Sequence, residues 1–182
     1  AIVQGFQHEV KELVIGFSSH LQISPNDPNN DGLVLDAELL MEISDLEGVR
    51  HVAPMHIRPG LLETSESLKG ISVKGIDFGN STKNFCSDTT MIFDALLEGS
   101  LPKDANDILI SVPLATQLKL KLGDRISLYL VVDNEAVKPR AVDVCGIYET
   151  GLLEYDERFV FVNSTLLQDV ANRGCQAVIY LD

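Results

Sequence analysis

The segment DILISVPLATQLKLKLGDRISLYL, residues 107–130, decides the fold class. It opens with Asp107–Ser111, a short apolar run that is typical of a buried strand. Val112–Leu120 then has helical spacing, Gly123–Asp124 forms a turn, and Arg125–Val132 alternates as a second strand. Helix and strand therefore follow one another within one short segment, which predicts a fold that contains both.

The same mixture continues on both sides of this segment. Pro54 and Pro59 interrupt one of the flanking strands, so we expect that strand to be an edge strand or a bent one. Because the elements do not alternate as regular βαβ units, the predicted fold class is α+β, a mixed sheet packed with helices. The predicted flanking strands are Ser18–Ser24, Val49–Glu63, Leu68–Asp77, Arg140–Tyr148, Phe159–Val162 and Gln176–Leu181, and the predicted flanking helices are Ile2–Phe17, Asp36–Leu46, Met91–Leu97 and Asn163–Ala171.

Composition and charge narrow the class of protein. The 182 residues suit a single domain, 1–182, or two small lobes that share a core. Hydrophobic residues make up 45% and charged residues 23%, as in ordinary globular proteins. The net charge of −13 repels phosphate backbones, so we expect no nucleic-acid partner. No apolar run approaches the ~20 residues that a membrane-spanning helix needs.

Signatures of enzymes are missing from the sequence. It contains no GxSxG, GxxxxGK[ST], GxGxxG or HExxH motif, and we predict no catalytic residue. His51 and His56 are five residues apart in a strand, so they should lie on opposite faces and not share a metal. The acidic pair Glu154/Asp156 is interpreted as solvated loop charge. Cys86, Cys145 and Cys175 form no CxxC pair and are interpreted as small buried apolar residues, with one disulfide and one free thiol as the alternative outside the cytoplasm.

One loop has the spacing of a calcium site. Asp27, Asn29, Asp31, Gly32 and Glu38 match D-x-[DN]-x-[DN]-G-x5-E, in which alternate oxygens converge on Ca²⁺. The same residues also suit a plain solvent loop before a helix, because Asn, Asp and Gly favour turns. Both interpretations stay open, and Ca²⁺ is the only cofactor considered.

Four blocks together resemble the extracytoplasmic domain of LolC/LolE-type permeases, in the wider family that also holds MacB and FtsX. The blocks cover most of the chain. They are GFQHEVKELVIGFSSHLQIS (5–24), LEGVRHVAPM with GISVKGID (46–55 and 70–77), DILISVPLATQLKLKLGDRISLYL (107–130) and PRAVDVCGIYETGLLEYDERFVFV (139–162).

The resemblance implies a location, a set of partners and an organisation. Such permeases lie in the inner membrane with this domain in the periplasm, so the chain would be membrane-tethered in a longer protein. A separate cytoplasmic ATPase uses ATP and acts through the transmembrane part. A second permease subunit, a lipoprotein substrate and a periplasmic, LolA-like lipoprotein carrier complete the system. The domain has two lobes in this family, and we expect a porter-like lobe at 1–79 and 154–182 with an inserted smaller lobe at 80–153.

The resemblance also implies a partner-binding hairpin. In LolC a protruding β-hairpin contacts the carrier, and the matching segment here is VVDNEAVKPR (131–140), with a predicted connection at Asp133–Lys138. This segment is short, which leaves a LolE-like role or an ordinary hairpin turn open. The predicted partner-binding residues are Val132, Asp133, Asn134, Glu135, Ala136, Val137, Pro139 and Arg140.

Two other functions remain as alternatives. One is a MacB-like or FtsX-like domain that transmits motion for efflux or for the regulation of cell-wall hydrolases. The other is a calcium-binding interaction module that uses residues 27–38.

Overall fold

The computed structural model describes residues 21–23, 37–76, 92–132, 136–170 and 175–181, and no helix within them is long and apolar enough to cross a membrane. Helices and strands mix in these residues, so the predicted α+β fold class is confirmed. The helices are α1 (Ala37–Ser44), α2 (Val112–Leu118), α3 (Leu153–Asp156) and α4 (Ser164–Val170). The strands are β1 (Leu21–Ile23), β2 (Val49–Glu63), β3 (Leu68–Ile76), β4 (Leu96–Gly99), β5 (Asp107–Ser111), β6 (Arg125–Val132), β7 (Ala136–Tyr148), β8 (Phe159–Asn163) and β9 (Cys175–Leu181).

Six of the described strands close into a barrel. β2 pairs with β3, β3 with β8, β8 with β5, β5 with β7, β7 with β6, and β6 pairs back with β2. The pairings of β3 with β8 and of β5 with β7 are parallel, whereas the others are antiparallel. Closure satisfies the backbone groups around the barrel wall and leaves side chains to fill the interior.

The barrel interior is a packed apolar core to which all six strands contribute. Leu62, Leu128 and Val160, from three different strands, are each completely buried. Leu114 of α2 and Leu167 of α4 join the same core from outside the strands. Alternating apolar positions of the strand sequences therefore point into one shared core, which is the main apolar burial of the domain.

The two longer barrel helices lie at opposite ends of the barrel. α2 follows β5 and α4 follows β8, and these strands are antiparallel. Side-chain caps begin both helices: Ser111 Oγ accepts the Leu114 N–H (3.3 Å), and Asn163 Oδ1 accepts the Thr165 N–H (3.1 Å). Asn163, the first residue of the predicted helix Asn163–Ala171, thus caps α4. We call the two ends of the barrel the α2 end and the α4 end.

The barrel consists of two halves with the same arrangement, which the sequence does not reveal as a repeat. The β2 half contains the hairpin β2–β3 and then β8, which is parallel to β3 and leads into α4. The β6 half contains the hairpin β6–β7 and β5, which is parallel to β7 and leads into α2. The β2 half falls within the predicted porter-like lobe and the β6 half within the predicted inserted lobe. The division into lobes itself stays a prediction.

A smaller sheet extends beyond the α4 end of the barrel. The first part of β2, Val49–His56, pairs with β9, and β9 pairs with β1, both antiparallel. We call these three strands the β9 sheet; Met55, Val178 and Tyr180 form a buried cluster on it. Gly48 joins α1 to β2 in the left-handed conformation (φ +84°), which glycine adopts without steric cost.

β2 changes neighbours at its two prolines. It pairs with β9 up to His56, with β3 from His56 onward, and with β6 only from Gly60. Pro54 therefore lies before the pairing with β3 begins, and Pro59 lies between β9 and β6. Each proline, which has no N–H, occupies a place where β2 has one neighbour. Among the described strands, β2 has two neighbours only at His56 and over Gly60–Glu63, so the expected edge strand is confirmed for the rest of β2 and wrong for its last four residues.

The strand β4 packs outside the barrel, where we predicted a helix. The predicted helix Met91–Leu97 is confirmed at residues 92–94, which are helical, and wrong at its end, where β4 pairs with the end of β7. This pairing needs close approach, since a Cβ on Gly146 would lie 2.6 Å from the Ser100 carbonyl oxygen. Tertiary pairing thus overrides the local helical pattern. β4 helps to cover a second buried cluster: Ile76, Ile92, Leu109, Tyr148 and Phe161.

Candidate partner-binding site

The hairpin β6–β7 extends past its neighbours in the barrel. β6 pairs with β2 only over Ser127–Leu130, and β7 pairs with β5 only from Asp143 onward. The two strands nevertheless pair with each other down to Val132 and Ala136. Val131–Val132 and Ala136–Val137 therefore form a two-stranded projection at the α4 end, and Lys138–Ala141 continue it as a stretch of β7 that has β6 but not β5 beside it. We call the segments Val131–Val132 and Ala136–Ala141 together the ribbon.

The ribbon is more regular than the sequence predicted. We expected a connection at Asp133–Lys138, but Val132 pairs with Ala136 and Leu130 with Lys138. β7 accordingly begins at Ala136 instead of Arg140. The predicted loop boundary is wrong because cross-strand pairing with β6 recruits residues whose own sequence, with a proline in it, has little strand character.

The predicted partner-binding residues are distributed along this ribbon. Pro139 and Arg140 have exposed side chains. Val132, Ala136 and Val137 lie on the ribbon by their backbone register. The remaining three, Asp133, Asn134 and Glu135, lie outside the described residues.

Pro139 lies on the open edge of β7. The Asp143 N–H donates toward β5, to the Asn106 carbonyl (2.8 Å), and the Val144 N–H donates to the opposite side, to the Asp124 carbonyl (2.9 Å). Backbone groups alternate along a strand, so the backbone nitrogen of Pro139 points to the same side of β7 as the N–H of Asp143. β5 does not extend as far along β7 as Pro139. A proline there interrupts the row of donors and discourages another strand from adding to this edge. A partner of the ribbon would therefore be held mainly by side-chain contacts.

The sequence reasoning missed two residues, Val131 within the ribbon and Tyr129 beside it. Val131 is 42% exposed, and Tyr129 pairs across the strands with Pro139. Tyr129 Oη donates a 2.6 Å hydrogen bond to Glu63 Oε2, and this bond and the charge of the carboxylate raise the pKa of Tyr129. Strand alternation from the buried Leu128 and Leu130 was the signal that could have placed both residues on the outside.

The calcium-site residues fall mostly outside the described part of the chain. Asp27, Asn29 and Asp31 lie there, whereas Glu38 is exposed in the first turn of α1. Within the ranges that the structure describes, no cluster of three or more His, Cys, Asp or Glu side chains is arranged to hold a metal ion. The calcium loop stays a prediction.

Asp156 is buried, although its position in the sequence indicated a solvated loop. We interpreted it as a solvated loop charge, but it is 1% exposed and accepts hydrogen bonds from the Thr150 N–H and Thr150 Oγ1 (2.8 Å). Its carbonyl accepts a hydrogen bond from Ser111 Oγ. The solvated interpretation is wrong: Asp156 fixes the turn between β7 and α3 and ties it to the start of α2.

The two described histidines are placed as structural residues. The His51 ring stacks on the Tyr180 ring, with centroids 6.2 Å apart and planes at 21°. His56 lies where β2 pairs with both β9 and β3. Burial lowers the pKa of both, and the charge of Arg58 adds to the effect at His56. Both rings are therefore neutral at pH 7.

The thiol of Cys145, which lies within the described residues, is unreactive at neutral pH. Cys145 is free and half-buried, and its Sγ–H donates to the Ile108 carbonyl (3.3 Å). Burial, together with the nearby Asp107 charge, raises the pKa of Cys145 to about 12. A thiol that stays protonated at neutral pH is a poor nucleophile. The side chains of Cys86 and Cys175 lie outside the described part of the chain.

Comparison with known proteins places this fold among transporter domains. The structure is similar to the extracellular domain of the noncanonic ABC-type transporter YknZ from Gram-positive bacteria, with a TM-score of 0.53 and 14% identity over 89% of this chain and 84% of that one. It is also similar to the periplasmic region of MacB from Actinobacillus actinomycetemcomitans, with a TM-score of 0.52 and 12% identity over 96% and 80% of the two chains. This chain has their fold. No protein-family model and no curated protein sequence matches it.

Proposed function

We propose that this chain is the extracytoplasmic domain of an ABC transporter permease of the MacB/FtsX-like kind. The observation that carries the proposal is that the similarity to two transporter domains extends over 89% and 96% of the chain. In this role the domain lies in the periplasm, is tethered to the inner membrane in the full-length protein, and acts beside a second permease subunit. A separate cytoplasmic ATPase hydrolyses ATP, and the domain itself is non-catalytic.

We further propose that the transporter is of the LolC/LolE type and passes lipoproteins to a LolA-like carrier. Two features support this choice. The four sequence blocks resemble LolC/LolE-type permeases, and the ribbon presents Val131, Pro139 and Arg140 to solvent. The ribbon is a regular hairpin whose open edge is interrupted by Pro139, so the carrier would contact its side chains.

A MacB-like or FtsX-like role is the second candidate, and a different observation favours it. Both neighbours described above carry the names of other transporters, YknZ and MacB. In such a role the ribbon would contact an adaptor of an efflux system or an activator of cell-wall hydrolases. The ribbon is the surface on which the two candidates differ.

Calorimetric titration of the purified domain with the LolA-like carrier tests the finer proposal. The first variant replaces Val131–Val137 with Asn-Gly, which keeps the pair Leu130–Lys138 in register and supplies a favoured two-residue turn. The second is Val131→Glu, matched by Leu122→Glu, because these side chains are 42% and 41% exposed. We expect saturable binding by the intact domain and by Leu122→Glu, and at least a tenfold loss in both ribbon variants.

The possible outcomes separate the candidates. No binding by the intact domain sinks the lipoprotein-carrier proposal and leaves the permease proposal standing. Binding that survives in the Asn-Gly variant excludes Val131–Val137 from the contact. Calcium is tested separately: if residues 27–38 hold Ca²⁺, millimolar calcium raises the melting temperature of the domain and Glu38→Gln reduces that rise.

A further inference from the structure

Three large apolar side chains are exposed at the α2 end of the barrel, over the second buried cluster. Phe93, Leu97 and Leu153 are 61%, 62% and 62% exposed. Phe93 lies in the helical turn 92–94 and Leu97 in β4, whereas Leu153 is the first residue of α3. We call these three side chains the apolar patch.

The two stretches of chain that carry the apolar patch are packed side by side. β4 pairs with the end of β7, and the Glu149 N–H donates to the Ala95 carbonyl (3.0 Å). Leu96 and Leu152 both turn inward and pack against the second buried cluster. The residue that follows each of them belongs to the apolar patch and is turned to solvent. Exposed apolar side chains that lie together on a soluble domain mark an interaction site.

The residues around the apolar patch are acidic. The ranges 92–102 and 145–157 contain no Lys, Arg or His. Lys103 and Arg158 follow these ranges directly, and Lys121 precedes the residue whose side chain approaches the end of β4. The bases therefore lie at the ends of an apolar and acidic surface. Its exposed carboxylates are those of Asp94, Glu98, Glu149, Glu154 and Glu157.

We propose that the apolar patch binds an amphipathic helix of a partner protein, one that presents apolar residues flanked by Lys or Arg. The apolar residues would cover the patch while the bases meet the surrounding carboxylates. A second copy of this chain, with its net charge of −13, would bring carboxylates against carboxylates. An added strand is disfavoured because β4 has only four residues and its register shifts between Leu96 and Glu98.

The apolar patch is separate from the ribbon. β4 pairs with the last residues of β7, and the Asp156 carbonyl of α3 accepts the hydroxyl of Ser111, the cap of α2. The apolar patch therefore lies at the α2 end, whereas the ribbon extends from the α4 end. A helix bound to the apolar patch would leave the ribbon free. This inference goes beyond the proposed transport function and does not depend on it.

Fluorescence anisotropy with labelled synthetic peptides tests the proposal. The probe is a peptide of about 18 residues built from Leu and Lys, with Leu on one side of the helix. One matched peptide has Glu in place of Lys, and another has the probe's composition in an order that does not separate Leu from Lys. We expect the probe to bind with a dissociation constant on the order of 10–100 μM, the reordered peptide at least fivefold more weakly, and the Glu peptide not at all.

Variants of the chain locate the contact. Leu97→Ser should weaken probe binding at least fivefold, whereas Leu68→Ser, at a leucine of β3 that is 61% exposed, should leave it unchanged. Glu98→Lys should also weaken it at least fivefold. Glu47→Lys makes the same change of charge at an exposed residue next to the left-handed Gly48 and should alter the affinity less than twofold. Unchanged circular dichroism and melting temperature establish that each variant is folded.

Three results would overturn the proposal. They are no binding of the probe, equal binding of the probe and the reordered peptide, or equal losses in a patch variant and its matched control. The second and third results would mean that the acidic domain attracts bases without a defined site. The chain with Asn-Gly in place of Val131–Val137 should bind the probe normally, so carrier binding and helix binding can fail independently of one another.

Discussion

The two halves of the barrel share one arrangement but finish their hairpins differently. In the β2 half, the hairpin β2–β3 ends in a tight turn in which the Ser67 N–H donates to Thr64 Oγ1 (3.1 Å). Lys119 at the end of α2 reaches this turn and pairs with Glu66 (2.6 Å). In the β6 half, the hairpin β6–β7 continues past the barrel as the ribbon. One hairpin stops at the barrel rim, whereas the other extends beyond it.

The difference shows where this fold is free to vary. Both halves must supply inward side chains to one core, so their strands are equally constrained. A hairpin beyond the rim contributes nothing to that core and can change in length and sequence at little cost in stability. Binding specificity is therefore better sought in the β6 half, at its free hairpin, than in the matching turn of the β2 half.

The largest expected effect tests whether the two halves share one core. Leu62 in the β2 half and Leu128 in the β6 half are both completely buried. We expect Leu62→Ala and Leu128→Ala each to lower the free energy of unfolding by about 2–5 kcal/mol, through lost burial and a cavity. Urea denaturation measures both, and Leu68→Ala, at an exposed leucine, should cost less than about 0.5 kcal/mol. A large loss of unfolding free energy in only one of these two variants would contradict the idea that both halves contribute equally to one core.

The helix caps give a smaller effect that distinguishes the halves. Ser111 is completely buried, caps α2 and donates to the Asp156 carbonyl. Asn163 caps α4 and donates to the Lys103 carbonyl (3.1 Å) but retains slight exposure. We expect Ser111→Ala to lower the free energy of unfolding by about 2–3 kcal/mol and Asn163→Ala by about 1–2 kcal/mol. The second loss is smaller because water can hydrogen-bond to the backbone groups that lose Asn163 as their partner. Thermal unfolding of the two variants checks the order, and the reverse order would contradict this account.

Lowering the pH should destabilise the β2 half before the β6 half. His51 and His56 lie in β2, and burial holds the pKa of each below the ordinary histidine value of 6.5. As the pH falls below about 6.5, His51 and His56 take up protons in the unfolded chain before they do so in the folded one, so the free energy of unfolding decreases. Above that pH these two residues do not change the free energy of unfolding. Hydrogen exchange at about pH 7.5 and 5.5 should show protection lost in β2 more than in β6. His51→Gln/His56→Gln should flatten the dependence, and an unchanged slope would assign it to other groups.

The smallest expected effect concerns the ion pair at the rim. Lys119 and Glu66 are mostly exposed, so their pairing gains little over hydration. Glu66→Gln should change the free energy of unfolding by less than about 0.5 kcal/mol. A larger loss in urea denaturation would mean that the rim of the β2 half depends on this pair and not on its turn.

Several elements could be predicted from sequence because their patterns are local. Asp107–Ser111 and Arg125–Val132 were predicted with the bounds that the structure has, since each is an apolar or alternating run between turn residues. The cap at Asn163 and the left-handed Gly48 follow from similarly local chemistry. By contrast, β4 was missed because its strand conformation depends on β7.

Barrel closure and much of the candidate site could not be predicted, because they depend on distant pairings. β6 meets β2 and β5 meets β8 across long stretches of chain, and no local pattern encodes those registers. The ribbon is defined by where these pairings stop, so its length could not be predicted from the sequence either. The burial of Asp156 likewise depends on Thr150 and Ser111, which come together only in the folded chain.

The fifteen-residue strand β2 belongs to the barrel and to the β9 sheet at once. Its backbone ladder passes from β9 to β3 at His56, which pairs with both. The two parts therefore have no flexible joint at this strand, and detaching β9 frays the same strand that closes the barrel. Heating should consequently melt them as one cooperative unit, and a shortened chain that lacks β9 would keep a barrel with a loose end.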